Sequence, residues 1–332
     1  MAEILAGEFK PNDTNENSRG GTERLTRELA EKLGKEVLED FQIVSSRVRE
    51  LADDKIRIFW AHDLPGDPES AFLKDKNLMN RFHLYVFVSN WQMLGYMQQY
   101  GIPWSRCVVL RNAIDPIPEH VKPDTKDGIN IIYHTTPHRG LNILTAVFEK
   151  LCEKHDNINL DVYSSFDLYG WGERDEQYKP VFDKLNEMPR STSHGAVDHA
   201  TVREALQKSH IFAYPSVWPE TSCLSLMEAM SARNMCIHSN YAALPETAAN
   251  WTEMYQMHED QSGHAGIMYS MLDGVITNYD NLKNRADSQA SYANIFYTWE
   301  ARLNEWRAVL EMLKANVKDR SIPKEQFNYS TA

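Results

Sequence analysis

Two glutamates eight positions apart, Glu220 and Glu228, are the clearest candidates for chemistry in the sequence. They lie in PSVWPETSCLSLMEAMSARN, residues 215–234, where a turn leads into the start of a predicted helix. Carboxylates at this spacing are compatible with a catalytic acid and base, metal ligands, hydrogen bonds to a substrate, or one end of an ordinary amphipathic helix. Glu228 follows Leu226 and Met227, which is an unusually apolar setting for a free surface charge.

A basic turn and a glycine pair are two further candidates, and both precede predicted helices. The turn lies in YHTTPHRGLNIL, residues 133–144, where Arg139 follows a strand and stands before a helix. An arginine at the carboxyl end of a parallel strand suits a diphosphate, although a solvated surface arginine is the simpler alternative. Gly20 and Gly21 stand in NSRGGTERL with Thr22 as an N-cap. That pattern fits an anion site at a helix start, and equally a plain flexible loop.

His62 follows a predicted strand in WAHDLPGD, residues 60–67. A lone histidine after a strand is more often structural than catalytic, and no nucleophile elbow completes a triad. The sequence also lacks a P-loop, a G-x-G-x-x-G fingerprint after the first strand, an H-E-x-x-H motif and a D-x-D after a strand. We therefore predict no metal ligands and no metal-bound nucleotide.

Short β-type runs that alternate with longer helical runs must position these residues. The strand-like runs are EILA, FQIVS, KIRIFWA, LYVFVS, RCVVLRN, INIIYHT, INLDVYS, HIFAYPS and MCIHS. Such alternation predicts parallel sheets, which bind ligands at the carboxyl ends of their strands. Residues 115–128 are rich in proline and charge, so we predict a linker there between two doubly wound domains. One long helix is predicted over ANIFYTWEARLNEWRAVLEMLKANV, residues 293–317.

The bulk composition limits the class of protein. The chain has 332 residues and a net charge of −12, which argues against nucleic acid as its main partner. Its four cysteines are widely spaced and are predicted to be buried thiols of a reducing compartment. No signal peptide and no apolar run of ~18 residues are visible, so we expect a cytoplasmic protein without a spanning helix. A peripheral membrane contact and the oligomeric state are left open.

Taken in order along the chain, these segments resemble a retaining glycosyltransferase of the GT-B fold, specifically glycosyltransferase family 4 (glycosyl transferases group 1). GGTERL resembles the family's glycine-rich loop, and VFVSNWQMLGYMQQYGIPWSRCVVLRNAID resembles the segment that closes its first domain. YHTTPHRGLNIL resembles the phosphate-binding turn. HGAVDHATVREALQKSHIFAYPSVWPETSCLSLMEAMSARN, residues 194–234, resembles the donor region with its E-x7-E signature. YTWEARLNEW resembles the family's terminal helix.

The resemblance implies an α/β architecture of the GT-B class. Two doubly wound Rossmann-like domains would face a central cleft, and a C-terminal helix would cross back to the first domain. The implied ranges are an acceptor domain of reduced size at residues 1–120, a donor domain at 121–290, the terminal helix at 291–318 and a tail at 319–332.

The resemblance also implies roles for individual residues. Glu228 would hydrogen-bond the ribose, Glu220 would lie by the donor sugar, and Arg139 with His134 would take the place of a basic pair at the diphosphate. The residues implied to bind the donor are Gly20, Gly21, His134, Arg139, Gly195, Ala196, Val197, Glu220, Thr221, Ser222, Cys223, Leu224 and Glu228. The residues implied to act in catalysis are Glu220, Arg139 and His62. ETSC stands where the family writes E-G-F-G.

The implied reaction moves a sugar from a nucleoside diphosphate sugar, a UDP- or GDP-sugar, to a hydroxyl of a glycan, lipid-linked or protein acceptor. It would retain the anomeric configuration, need no metal and use no permanently bound cofactor. Two alternatives stay open at this point. One is a nucleotide-sugar 2-epimerase of related architecture, and the other is a non-catalytic nucleotide-sugar-binding protein.

Overall fold

The computed structural model describes residues 20–48, 50–318 and 320. The predicted strand EILA, the start of the glycine-rich segment and most of the predicted tail lie outside these residues. The described chain divides into two compact units. The first unit comprises residues up to Ala113 together with those from Trp299 onward, and the second comprises Ile114–Thr298.

The first unit has a parallel sheet of four strands in the order β1-β2-β3-β4. The strands are β1 Phe41–Ser45, β2 Ile56–Ala61, β3 Leu84–Phe87 and β4 Cys107–Val109. Its helices are α1 Gly21–Leu33, α2 Lys35–Leu38, α3 Lys76–Met79, α4 Asn90–Tyr100 and, from the end of the chain, α13 Trp299–Asn316. All six residues of β2 are buried, as expected for a central strand of a covered parallel sheet.

The second unit has a parallel sheet of six strands in the order β10-β9-β8-β5-β6-β7. The strands are β5 Ile129–Tyr133, β6 Ile158–Val162, β7 Ser191–Ser193, β8 Ile211–Tyr214, β9 Met235–Ser239 and β10 Glu253–Tyr255. The helices are α5 Leu141–Cys152, α6 Lys179–Glu187, α7 His199–Lys208, α8 Leu224–Ser231, α9 Leu244–Ala248, α10 Gln261–Thr277, α11 Tyr279–Leu282 and α12 Asn284–Phe296. Strand β5 pairs with both β6 and β8, so the strand order reverses beside it, which is where such sheets bind ligands.

The prediction of two parallel α/β sheets is confirmed, and every predicted strand within the described residues is present. Leu144, Val147 and Leu151 of α5 are buried as their helical spacing predicts, each worth about 1.5–3 kcal/mol of transfer free energy. Strands β7 and β10 escape prediction because each has only three residues, without an apolar run.

The prediction of one helix over residues 293–317 is wrong. The helix is interrupted after Phe296, and α13 begins at Trp299. The backbone N–H of Ile114 donates to the carbonyl of Tyr297 at 2.7 Å, and Ile114 forms a parallel β-bridge with Thr298. Pairing with an extended segment is incompatible with continued helix geometry, so the chain leaves the helix at these two residues.

Helix α13 packs within the first unit. The ring of Trp306 lies 5.2 Å from that of Trp60 in β2, and the two rings meet edge to face at 74°. The ammonium of Lys32 in α1 lies 5.6 Å from the ring centroid of Trp299. A strand residue and a residue of α1 thus both hold the last helix.

The segment predicted as a linker, residues 115–128, belongs to the second unit and is held to it. The ammonium of the half-buried Lys122 donates to the carbonyls of Leu206 at 2.8 Å and Ser209 at 2.5 Å, at the end of α7. Burial lowers the pKa of Lys122 to about 7. The Ser231 hydroxyl accepts from the N–H of Ile117 at 2.7 Å. Extended chain of this composition is therefore fixed by side-chain contacts rather than by secondary structure.

The four cysteines carry free thiols, of which Cys223 and Cys236 are buried and Cys107 and Cys152 are half-buried. The prediction that all four are buried is therefore right for two of them. None of the helices that the structure describes combines the length and the hydropathy needed to span a bilayer.

Candidate functional site

A buried ion pair occupies the carboxyl edge of the sheet in the second unit. Arg139 follows β5 and Glu220 follows β8, which are neighbouring strands. The guanidinium Nη1 of Arg139 donates to Oε1 of Glu220 at 2.6 Å, and the hydroxyl of Tyr214 donates to the same oxygen. Glu220 is 4% exposed. Burial disfavours the charge of Arg139, but the attraction of Glu220 outweighs it and raises the pKa well above the ordinary value.

The local backbone explains why an arginine can be placed here. Pro137 begins a short 3-10 turn that ends at Arg139, and Gly140 follows with φ of +122°. A Cβ at position 140 would overlap the carbonyl oxygen of Pro215, so only glycine fits this approach of the two loops. Arg139 is thereby held against the loop that carries Glu220, and its carbonyl accepts from the N–H of Val217 at 3.3 Å.

The second carboxylate lies in α8 and has a different partner. Glu228 is 4% exposed, as its apolar neighbours in the sequence predict. Its Oε1 meets Nε2 of His199 at 2.7 Å, and the His199 side chain is 43% exposed at the start of α7. His134 lies nearby at the end of β5, where burial lowers the pKa to about 4 against the opposing attraction of Glu228. His134 is therefore neutral near pH 7.

Helix α8 begins later than predicted. The prediction that Thr221 or Ser222 caps the helix is wrong, because Cys223 occupies the N-cap position and Leu224 is the first helical residue. The Cys223 carbonyl accepts from the N–H of Met227 at 3.1 Å, while its side chain makes no cap hydrogen bond. The backbone donors at the start of α8 are therefore those of Leu224 and its successors.

The predicted nucleobase residues form the short connection between β7 and α7. Gly195 has φ of +67° and open space where a Cβ would stand. Gly195 and Val197 are half-buried and Ala196 is exposed. The ring of His194 stacks on that of Tyr163 at 4.3 Å and 5°, and this aromatic pair borders the connection.

Several buried polar side-chain atoms at this edge lack a partner. Within residues 20–48, 50–318 and 320, no hydrogen bond reaches Nε of Arg139, Nδ1 of His138, or the hydroxyls of Thr136, Ser164 and Ser222. A buried polar group without a partner costs about 1–3 kcal/mol. A polar ligand bound at this edge would supply hydrogen bonds that these groups lack.

Two aromatic side chains complete this edge. The His138 ring stacks on Phe166 at 5.1 Å and 17°, and it meets the Trp218 ring edge to face at 4.6 Å. The guanidinium carbon of Arg139 lies 5.9 Å from the ring centroid of Trp218. Burial, reinforced by the charges of Arg139 and Arg174, lowers the pKa of His138 to about 4. His138 is therefore also neutral near pH 7.

The structure brings together the predicted donor residues of the second unit at one sheet edge, whereas Gly20, Gly21 and His62 lie in the first unit. Helix α1 begins at Gly21 with Gly20 at the N-cap position, so the predicted capping role of Thr22 is wrong. His62 follows β2, and its N–H donates to the Ser46 hydroxyl at 2.9 Å. Burial lowers the pKa of His62 to about 3.

In the described part of the chain, no group of three or more His, Cys, Asp or Glu side chains is arranged to hold a metal ion.

Sequence reasoning misses three residues of this site. His199, Tyr214 and Trp218 all lie within segments that carry the resemblance, but the resemblance implies no role for them. Tyr214 is the last residue of a buried strand that ends at the site, and that position was the available signal. His199 is missed because a histidine in the first turn of a polar helix looks like a solvated residue.

The chain belongs to the glycosyl transferases group 1 family, whose model matches residues 115–289. That range contains the ion pair, Glu228 and the edge described above.

Two parallel α/β units of this kind define the GT-B fold, which solved structures of low sequence identity share. A glycosyltransferase from Rickettsia africae ESF-5 aligns with a TM-score of 0.63 at 16% identity, covering 91% of this chain and 84% of its own. Anabaena HepE in complex with UDP-glucose aligns with a TM-score of 0.63 at 15% identity, covering 86% and 82%.

One curated relative has a name that specifies an activity more narrowly than the family description does. The phosphatidylinositol N-acetylglucosaminyltransferase gpi3 subunit of Schizosaccharomyces pombe is 24% identical over 200 residues, which are 58% of this chain. The match spans 41% of that relative's length. This chain therefore spans about two fifths of the curated protein that it resembles.

Proposed function

We propose that this chain is a retaining glycosyltransferase of family 4 that uses a nucleoside diphosphate sugar as donor. The observation that carries the proposal is the edge of the second sheet. There a buried Arg139–Glu220 ion pair stands beside buried polar atoms without partners, inside the segment that the family model matches. A polar, anionic ligand satisfies both features.

The donor would lie along this edge with its parts in a defined order. Glu228 accepts hydrogen bonds from the ribose hydroxyls, because it is buried and its partner His199 begins α7, directly after the connection at residues 195–197. Glu220 faces the sugar, since Arg139 and Tyr214 fix its carboxylate on one side. The N–H groups of Thr221, Ser222, Cys223 and Leu224 meet sugar or diphosphate oxygens.

The chemical step would break the bond between the anomeric carbon and the diphosphate oxygen. Arg139 and the start of α8 stabilise the charge that develops on the leaving diphosphate. The acceptor hydroxyl forms the new bond on the same face, and a diphosphate oxygen takes its proton. Retention follows from attack on that face, and neither glutamate has to move a proton.

The acceptor is the part of the reaction with the widest choice. Glycans, lipid-linked saccharides and proteins are all acceptors consistent with the sequence. In the first unit, His62 is the candidate contact for the donor sugar or the acceptor, whereas Gly20 and Gly21 are candidates for binding the diphosphate of the donor. The name of the Schizosaccharomyces pombe relative makes phosphatidylinositol and an N-acetylglucosamine donor the first pair to assay. We propose a cytoplasmic location, which free thiols fit.

A panel assay tests the proposal. The full chain is incubated with UDP- and GDP-sugars and with acceptors that include phosphatidylinositol, and nucleotide release is measured with and without a chelator. We expect release that depends on the acceptor, survives the chelator and yields a product whose anomeric configuration by NMR equals the donor's.

Other outcomes would reject parts of the proposal. An inverted product would reject retention, and activity that a chelator removes and a divalent metal restores would reject metal independence. Epimerisation of the donor without acceptor would make the chain an epimerase. Binding of a nucleoside diphosphate without turnover across the panel would make it a binding protein.

A further inference from the structure

The donor edge carries little positive charge for a ligand with a diphosphate. Arg139 is paired with Glu220, and Glu228 adds a negative charge. His134 and His138 are neutral near pH 7, because burial lowers the pKa of each to about 4. The basic pair expected from the resemblance thus contributes a single cation, which a carboxylate already holds. A second cation without a carboxylate partner would add a charge-assisted contact for a diphosphate at this edge.

The loop after β6 brings another arginine to the same edge. This loop, residues 163–178, consists of two short 3-10 turns, Phe166–Tyr169 and Gly172–Tyr178. The carboxylate of Asp175 fixes their relative position, since Oδ1 accepts from the N–H of Phe166 at 2.9 Å and Oδ2 from the Ser165 hydroxyl at 2.5 Å. The Phe166 ring stacks on His138, next to Arg139. The backbone at residues 174–175 is therefore anchored beside the site.

Arg174 is held there by an aromatic ring rather than by a carboxylate. Its guanidinium carbon lies 4.2 Å from the ring centroid of Trp171, and that ring lies 5.3 Å from the ring of Tyr169. Arg174 forms no ion pair within the part of the chain that the structure describes. Its positive charge contributes to the lowered pKa of His138, which places Arg174 near that ring. An arginine that is stacked, exposed and without a carboxylate retains its full donor capacity.

We propose that Arg174, supported by Trp171, is the second cation that binds the diphosphate of the donor. The inference rests on the proposed function, since it concerns the same ligand. A planar guanidinium offers two parallel N–H donors to phosphate oxygens, and stacking on an indole preserves that fork while lowering the entropy lost on binding. Arg139 and Arg174 would then approach the diphosphate from the loops after two neighbouring strands, β5 and β6.

Titration calorimetry on the full chain tests the role of Arg174. The probes are UDP, GDP and inorganic pyrophosphate, and the variants are Arg174→Ala, Arg174→Lys and Trp171→Ala. Lys179→Ala is the matched control. It also removes one positive charge, only five residues from Arg174, but the Lys179 side chain pairs with Asp183 on the surface. Melting temperatures check that each variant is folded.

We expect Arg174→Ala to weaken binding of the preferred nucleoside diphosphate about 10-fold, as for one lost charge-assisted contact. The affinities of Arg174→Lys and Trp171→Ala should lie between those of Arg174→Ala and the wild type. Lys179→Ala should change the affinity less than about twofold. Equal affinities for Arg174→Ala and Lys179→Ala would overturn this inference and leave the proposed function standing. A wild-type chain that binds none of the three probes would overturn the proposed function and this inference with it.

Discussion

The two glutamates of the donor edge are equally buried, yet they are held in different ways. Glu220 and Glu228 are each 4% exposed. Glu220 is fixed by Arg139, whose side chain is 21% exposed, and by the fully buried Tyr214. The carboxylate of Glu228 contacts the ring of His199, whose side chain is 43% exposed. One carboxylate is therefore locked inside the protein, while the other has a partner that solvent or a ligand can replace.

This difference separates a fixed element of the site from an exchangeable one. Breaking a buried ion pair leaves an uncompensated charge, which typically costs about 3–5 kcal/mol. Releasing an exposed histidine costs little, because water or a ribose hydroxyl can take its place. The comparison predicts that loss of the partner of Glu220 lowers both stability and activity, whereas loss of the partner of Glu228 changes either of them little.

The largest expected effect comes from removing the cation. Arg139→Met should reduce sugar transfer about 10²–10³-fold, since it removes charge stabilisation of the leaving diphosphate. It should also lower the free energy of unfolding by about 3 kcal/mol, because Glu220 keeps its buried charge without its partner. Initial rates of nucleotide release and urea denaturation measure the two effects.

A double variant separates the two effects of that substitution. Arg139→Met combined with Glu220→Gln removes both charges and leaves an acceptor for Tyr214. It should recover most of the lost stability and none of the activity. If stability and activity return together, Arg139 acts only by supporting the fold.

The next effect concerns the ribose. Glu228→Ala should weaken binding of the preferred nucleoside diphosphate about 10-fold or more, because a hydrogen bond to a carboxylate is worth about 1.5–3 kcal/mol. Calorimetry with the 2′-deoxy nucleotide provides the control. The deoxy ligand should bind the wild type more weakly than the ribose form, and Glu228→Ala should bind both alike. A preference for ribose that persists in Glu228→Ala would remove this role.

Two half-buried histidines of the donor edge, His134 and His138, predict how stability depends on pH. Burial lowers the pKa of His134 and of His138 from 6.5 to about 4. The unfolded chain therefore binds more protons between these values, and stability falls as the pH drops from about 6.5 towards 4. Each histidine contributes a slope of up to about 1.4 kcal/mol per pH unit.

Urea denaturation at pH 7, 6 and 5 measures that slope. His134→Gln and His138→Gln should each make the dependence on pH shallower than in the wild type. Parallel curves for all three proteins would show that these side chains are not held neutral by the fold.

The smallest effect is expected at His199. His199→Ala should change nucleotide affinity less than about threefold and leave the melting temperature nearly unchanged, because an exposed partner contributes little. Calorimetry beside Glu228→Ala makes the comparison direct. A loss of nucleotide affinity in His199→Ala as large as in Glu228→Ala would contradict the view that the partner of Glu228 is exchangeable.

The fold was largely predictable because long apolar runs mark buried strands. Runs such as IRIFWA and INIIY are so apolar that each can be recognised as a central parallel strand from its own sequence, without knowledge of the strands it pairs with. The break before Trp299 was not predictable, because it results from pairing with Ile114, which is distant in sequence. The extended segment at residues 115–128 looked like a free linker for the same reason, since the contacts of Lys122 are with residues far along the chain.

The site was predictable where residue type and position coincide. Glu228 was identifiable from its apolar neighbours, and Arg139 from its place after a strand. The partner His199 was not, because its proximity to Glu228 across α7 and α8 leaves no trace in local spacing. Neither was the charge state of His134, which depends on burial rather than on the basic character of its side chain.

A diffraction structure of the chain with its preferred nucleoside diphosphate tests the central claim most directly. We predict ribose hydroxyls within hydrogen-bond distance of the Glu228 carboxylate, a diphosphate contacted by Arg139, and a base beside residues 195–197. A nucleotide bound elsewhere, with the Arg139–Glu220 edge empty, would contradict the account.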